Sequence, residues 1–95
     1  MRNEPLYDGK RGLEIYLAVN EYGKTYKDLT KYYGVSYSRI CQLYNRTSRY
    51  IINGMKRTNY NYEFYKEWLI GYYKPDMDKF KLGIEDFLDM EMEDF

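Results

Sequence analysis

Apolar residues recur at helical spacing from residue 10 onward, and this pattern divides the chain into elements. Leu13, Tyr16 and Leu17 fall on one face of a first predicted helix over 10–22. Gly23 follows, and glycine is the residue best suited to the left-handed conformation that ends many helices. A first helix ending at Gly23 is therefore expected.

The segment over 24–54 predicts two further helices joined by a very short connection. Thr25 is a candidate N-cap, and Asp28 three residues later completes a capping box. Gly34 suits a tight corner with positive φ. Ser36 is a candidate cap for a helix over about 37–51, which Asn53-Gly54 is predicted to end. The expected inward residues are Leu29, Tyr32, Tyr33, Ile40, Leu43, Tyr44, Thr47 and Ile51.

The remaining third of the chain predicts shorter helical elements. Residues 61–73 form an apolar-periodic run, in which either Trp68 or Leu69 continues the apolar face, and Pro75 closes it. Asp76 or Asp78 is a candidate cap for a helix through Lys81. Four aromatic side chains in this region are predicted to be core residues rather than an exposed platform for stacking bases: Tyr60, Tyr62, Tyr65 and Trp68.

These elements predict an all-α fold, a small helical bundle containing a helix-turn-helix over about 25–51. We expect one domain over 1–95, with a helix-turn-helix core over 10–52, a C-terminal helical extension over 60–82 and an acidic tail over 83–95. The tail carries an apolar stripe of Ile84, Phe87, Leu88 and Met92. It is interpreted as a helix end packed on the core, as a partner-binding segment, or as a flap over the basic face.

Charge changes the picture, because a net charge of zero conceals two opposite halves. Residues 1–74 hold 13 basic and 7 acidic side chains, and residues 75–95 hold 2 and 8. Within 24–57 there are eight basic residues and one acid, Asp28, which is a net +7. Such a local basic surface attracts polyanions whatever the overall pI.

A helix-turn-helix unit places its second helix in the DNA major groove, where its first residues meet base edges. On that helix, polar residues recur at steps of three, four and three from Arg39 to Arg49. Arginine pairs with guanine and glutamine with adenine. The predicted base-reading residues are Tyr37, Ser38, Arg39, Gln42 and Arg46. The predicted phosphate-binding residues are Lys24, Lys27, Lys31, Ser36 and Arg49.

The run from Gly34 to Leu43, preceded by Tyr26-Lys27-Asp28-Leu29, resembles region 4 of sigma-70-type RNA polymerase sigma factors. The resemblance covers roughly 13–51. It implies a helix that reads the promoter −35 element and a domain that also touches RNA polymerase. Tyr37 and Ser38 replace the charged pair usual in that family, so the resemblance implies no particular base preference. A stand-alone module of this kind is typical of phages and mobile elements.

Other functional classes find little support in the sequence. There is no histidine, and Cys41 is the only cysteine, so we expect no catalytic residue, no metal site, no cofactor and no internal disulfide. No apolar run is long enough to span a bilayer, and no secretory leader is recognisable. A cytoplasmic location is therefore expected.

The expected partner is double-stranded DNA, for a sequence-specific transcription regulator. The alternative is a protein–protein interaction module that binds RNA polymerase or a host nucleic-acid enzyme, with DNA contact secondary or absent. Monomer and homodimer both stay open, because many helix-turn-helix proteins dimerise on two half-sites.

Overall fold

The computed structural model describes residues 8–81. This part of the chain forms five α-helices and no strand, which confirms the predicted all-α class. The helices are α1 (Gly9–Glu21), α2 (Tyr26–Tyr33), α3 (Tyr37–Thr58), α4 (Tyr62–Tyr73) and α5 (Asp78–Lys81). The predicted stripe over 84–92 and the acidic tail lie outside the described residues. No helix within 8–81 combines the length and apolar character needed to cross a membrane.

The predicted helix starts at Thr25 and Ser36 are confirmed. The Thr25 Oγ1 accepts from the Asp28 N–H, and the Asp28 carboxylate accepts from the Thr25 N–H, both at 3.0 Å. Ser36 caps α3 through a bond from the Arg39 N–H. Gly34 adopts φ 67°, the left-handed conformation predicted for the corner.

The predicted end of the third helix at Asn53-Gly54 is wrong. Helix α3 continues without a break to Thr58 and ends at Asn59, whose φ is 63°. Gly54 is buried, and a Cβ there would collide with the Tyr65 hydroxyl group. This glycine therefore lets the ring of Tyr65 on α4 approach α3 closely, and it does not end the helix.

Two groups of buried residues form the core, and α1 and α3 contribute to both. The first group lies among α1, α2, α5 and the start of α3 and contains Ile15, Ala18, Leu29, Ile40, Leu43 and Phe80. The second lies among α1, α4 and the middle of α3 and contains Leu13, Leu17, Ile51, Tyr65 and Leu69. Helix α3 is thus fixed along much of its length rather than at one end.

A buried carboxylate fastens the last described residues to α1. Glu14 is almost fully buried, and its oxygens accept hydrogen bonds from the Asp76 N–H at 2.8 Å, the Lys79 ammonium at 2.7 Å and the Tyr33 hydroxyl at 2.7 Å. Burial raises the pKa of the Glu14 carboxyl, but the hydrogen bonds and the Lys79 charge lower it further, so it lies below its ordinary value. The carboxylate is therefore ionised near neutral pH.

The prediction that Tyr60 and Trp68 are core residues is wrong. Tyr60 is 44% exposed and Trp68 is 50% exposed. On α4 the buried positions are Tyr65, Lys66 and Leu69, of which Tyr65 and Leu69 are the apolar ones and lie one helical turn apart. Trp68 lies about 100° around the helix from Leu69. An aromatic face of α4 is therefore open to solvent.

Candidate nucleic-acid interface

The connection between α2 and α3 determines where the second helix begins. It consists of Gly34, Val35 and Ser36. Val35 is half-buried against the first core group, which also contains Leu29 of α2 and Ile40 of α3. The start of α3 is therefore held on one side by the core, while the opposite side of its first turn is open.

The predicted base-reading residues occupy that open side. Tyr37 is 57% exposed, and Ser38, Gln42 and Arg46 are also exposed. Arg39 is half-buried, and its Nη1 donates to the Gln42 Oε1 at 3.5 Å, so these two side chains lie side by side. Arg46 lies two turns after Arg39, about 10 Å further along the axis. The structure thus brings Arg39 and Gln42 together and places Arg46 in line with them.

Ring contacts hold the first residue of α3 against the first residue of α2. The rings of Tyr37 and Tyr26 pack edge to face with centroids 5.6 Å apart, and Tyr26 packs on Tyr44 at 5.4 Å. Burial raises the pKa of the Tyr26 hydroxyl above its ordinary value, in keeping with a ring packed inside the protein. The position of Tyr37 is therefore supported from inside the protein although its own ring is largely exposed.

Four of the five predicted phosphate-binding residues are at the surface: Lys27, Lys31, Ser36 and Arg49 are exposed. The Ser36 Oγ accepts from the Arg39 N–H at 3.1 Å, and a hydroxyl that accepts in this way can still donate its proton to a phosphate. Lys24 differs, because only 6% of its surface is exposed. Of the five, Lys24 offers the least surface to a ligand.

The electrostatic character of α3 is uniform. Its 22 residues include Arg39, Arg46, Arg49, Lys56 and Arg57 and no acid. The one acid within 24–57, Asp28, has its carboxylate bonded to the Thr25 N–H at the start of α2. Basic side chains thus follow the exposed side of α3 from its first turn to its last.

The sequence prediction missed the far end of this polar stripe. Because α3 does not stop at Gly54, the steps of three and four that join Arg39, Gln42, Arg46 and Arg49 continue to Asn53 and Lys56, which are both exposed. The repeated spacing could have revealed this extension. The dipeptide Asn-Gly, a common turn signal, pointed the other way.

No protein-family model, no curated protein and no solved structure matches this chain.

Proposed function

We propose that this protein is a sequence-specific DNA-binding transcription regulator that places the N-terminal half of α3 in the major groove of duplex DNA. The observation that carries the proposal is the exposed stripe of Gln42, Arg46 and Arg49 on a helix without acidic residues, seated at a capped corner. The major groove is about 12 Å wide and accepts an α-helix with its side chains.

The start of α3 supplies the first contacts with the DNA backbone. The N–H groups of the first turn carry the positive end of the helix dipole, which attracts phosphate. Ser36 and Ser38 add hydroxyl donors at the same end. The exposed lysines Lys27 and Lys31 of the preceding helix, α2, add positive charge. These contacts set the position of the helix on the duplex without reading sequence.

Base reading belongs to Arg39, Gln42 and Arg46. The Arg39 Nη1 lies 3.5 Å from the Gln42 Oε1, so the two side chains would meet the bases side by side. A straight helix of 22 residues is about 33 Å long, whereas the groove curves away around the duplex. Bases are therefore reached from the first half of α3, and residues beyond Arg49 lie outside the groove.

The resemblance to sigma region 4 suggests where such a protein would act. A module of this kind, encoded by a phage or a mobile element, would bind promoter DNA and contact RNA polymerase there. Polymerase binding is a second property of the same proposal, and it can be tested separately by capturing purified polymerase with and without promoter DNA.

Selection of binding sites from random duplexes tests the proposal most directly, and the enriched sequence then becomes the probe for variants. Gln42→Ala and Arg46→Ala are each expected to cost about 1 to 3 kcal/mol at the selected site and to relax preference at one base pair. Lys27→Ala is expected to weaken all duplexes alike and to reduce the salt slope by about 0.9. Lys10→Ala, which removes an exposed cation from α1, is the matched control and should change neither property.

Two results would contradict this function. One is the absence of any enriched motif together with equal duplex affinity in Arg46→Ala and the parent protein. The other is capture of RNA polymerase that survives charge reversal at Arg39 and Arg46 while duplex affinity is absent, which would support the interaction module instead.

A further inference from the structure

A second surface, away from the start of α3, has the construction of a binding pocket. The last turns of α3, the connection to α4 and one face of α4 border a half-open pocket of about 330 Å³. That volume is at the lower end of the range of small-ligand sites. Six aromatic rings, Thr58 and Arg57 line it; the rings belong to Tyr50, Tyr60, Tyr65, Trp68, Tyr72 and Tyr73.

Three of these rings form a ladder along α4. Tyr65 and Trp68 are stacked with centroids 6.0 Å apart and planes inclined by 19°, and Trp68 and Tyr72 are stacked at 5.5 Å and 17°. Tyr65 is buried, but Trp68 is half exposed and Tyr72 is 62% exposed. The ladder thus starts in the core and ends in flat aromatic surface exposed to solvent, which suits a planar ligand.

The charge at this pocket selects among planar ligands. Arg57 is the only charged residue among the described residues that line it. The two acids of α4, Glu63 and Glu67, lie about 100° or more around the helix from each ring of the ladder, and Glu63 is paired with Lys66 at 3.1 Å. Arg57 also lies close enough to Tyr50 for its charge to lower the pKa of that hydroxyl, although burial and a hydrogen bond with Tyr73 raise it to about 12. Arg57 therefore offers an anionic group a positive partner beside the rings.

Three of the hydroxyl groups in the lining already make hydrogen bonds within the protein. The Thr58 hydroxyl donates to the Gly54 carbonyl at 2.6 Å and accepts from the Tyr60 N–H at 3.3 Å. The Tyr50 and Tyr73 hydroxyls bond to each other. A ligand held mainly by stacking and by one arginine would be recognised by shape and charge, with weak preference among bases.

We propose that this pocket binds an unpaired nucleotide of a single-stranded nucleic acid, with its base against the Trp68–Tyr72 end of the ladder and its phosphate on Arg57. The proposal does not rest on the duplex-binding function, because it uses different residues at the other end of α3. A nucleotide unit fits both the aromatic ladder and Arg57, because it joins a planar base to an anionic phosphate.

Trp68 makes the test direct, because it is the only tryptophan in the chain and reports on the pocket itself. A dT hexamer is titrated into the whole protein while tryptophan emission is followed, beside an abasic hexamer with the same phosphates and a uridine hexamer. Stacking of a base on the exposed Tyr72 ring, which lies against Trp68 with centroids 5.5 Å apart, predicts saturable quenching by the dT hexamer and none by the abasic strand. The uridine arm shows whether DNA or RNA is preferred.

Variants then assign the binding to the pocket. Tyr72→Ala is expected to weaken binding by about 5- to 150-fold, the range for loss of one stacked base. Arg57→Ala is expected to weaken binding and to reduce the single-strand salt slope by about 0.7. Tyr37→Ala is the matched control, because Tyr37 is similarly exposed at 57% but lies at the start of α3. It should leave the quenching unchanged while duplex binding falls. Tyr72 is largely exposed, so its variant should fold, which circular dichroism checks.

Three outcomes would overturn the proposal. They are quenching by the abasic strand equal to that by the dT hexamer, equal losses in Tyr72→Ala and Tyr37→Ala, and no quenching at all. Sedimentation adds a fourth: a dimer whose formation shifts Trp68 emission to the blue would show that a second copy fills the pocket. None of these results bears on duplex binding by Gln42 and Arg46.

Discussion

Helix α3 begins and ends at corners that share one backbone design. At the first, Gly34 is left-handed, Val35 follows, and Ser36 caps α3; at the second, Asn59 is left-handed, Tyr60 follows, and Asn61 caps α4. Each has three residues between its helices. The two surfaces beside them nevertheless differ completely.

The difference lies in the side chains that each corner presents. The helix after the first corner has five basic residues and no acid, whereas the helix after the second has Glu63, Lys66 and Glu67 and a ladder of rings. The middle residue of the first corner, Val35, packs on the core, while Tyr60 is exposed against Phe64, with ring centroids 4.6 Å apart. The two corners thus share a backbone but present different side chains, and the proposed duplex contact rests on the basic side chains of the helix after the first corner.

The largest predicted effect concerns the connection between α4 and α5, which is held by contacts with a residue distant in sequence. Between α4 and α5, the chain relies on Glu14 of α1 to accept from the Asp76 N–H and the Lys79 ammonium. Glu14→Gln is expected to cost about 3 kcal/mol of unfolding free energy, because it leaves a partly buried ammonium without its counter-charge. Urea denaturation measures this loss. Glu67→Gln, at an exposed position of α4, should change the stability by less than about 0.5 kcal/mol.

The same carboxylate makes stability depend on acid. Its pKa in the folded protein is below the ordinary 4.5. Its contribution is therefore complete above that pH and is lost as the pH falls below it. The parent protein should lose more stability than Glu14→Gln between neutral pH and pH 3. Parallel acid unfolding curves for the two proteins would show that Glu14 has no such role.

A medium effect is expected from the left-handed residue of each corner. Gly34→Ala should cost about 1 to 2 kcal/mol, because a Cβ at φ 67° is strained. Asn59→Ala should cost less, because the asparagine of the parent protein has a Cβ and is already partly strained in this conformation. Asn59→Gly should be neutral or slightly stabilising. Thermal unfolding of the three variants compares them. If Gly34→Ala and Asn59→Ala cost the same unfolding free energy, the strain at the two left-handed positions would differ and the proposed equivalence of the two corners would be wrong.

The smallest effects should come from the caps, and they separate the two corners by function. Ser36→Ala and Asn61→Ala each remove a side chain that accepts from a backbone N–H, at 3.1 Å and 2.8 Å, and should each cost about 1 kcal/mol. Only Ser36→Ala should also lower duplex affinity in a gel shift. A loss of duplex affinity in Asn61→Ala instead would place the duplex contact near α4.

Local signals made much of this fold predictable. A capping box, a glycine corner and a serine cap each depend on residues within four positions of one another, so Thr25, Gly34 and Ser36 could be read directly. The candidate stripe on α3 followed for the same reason, because helical spacing alone determines which residues share a face.

Features that depend on a distant partner could not be predicted in this way. Whether Gly54 ends a helix or makes room for a neighbour depends on Tyr65 in the next helix. The choice between Trp68 and Leu69 as the inward residue depends on how α4 is rotated against α1 and α3. Glu14 gave no local sign of burial, because its partners Asp76 and Lys79 lie more than 60 residues later. The aromatic pocket was missed because it requires both the extended α3 and the outward Trp68.

The uninterrupted course of α3 has a mechanical consequence. Because α3 packs against both groups of the core, its roughly 33 Å length moves as one rigid element. A tilt at one end of the helix therefore displaces the other end. Two ligands bound at the two ends of α3 would therefore be held at a fixed distance from each other, because no hinge interrupts the helix between them.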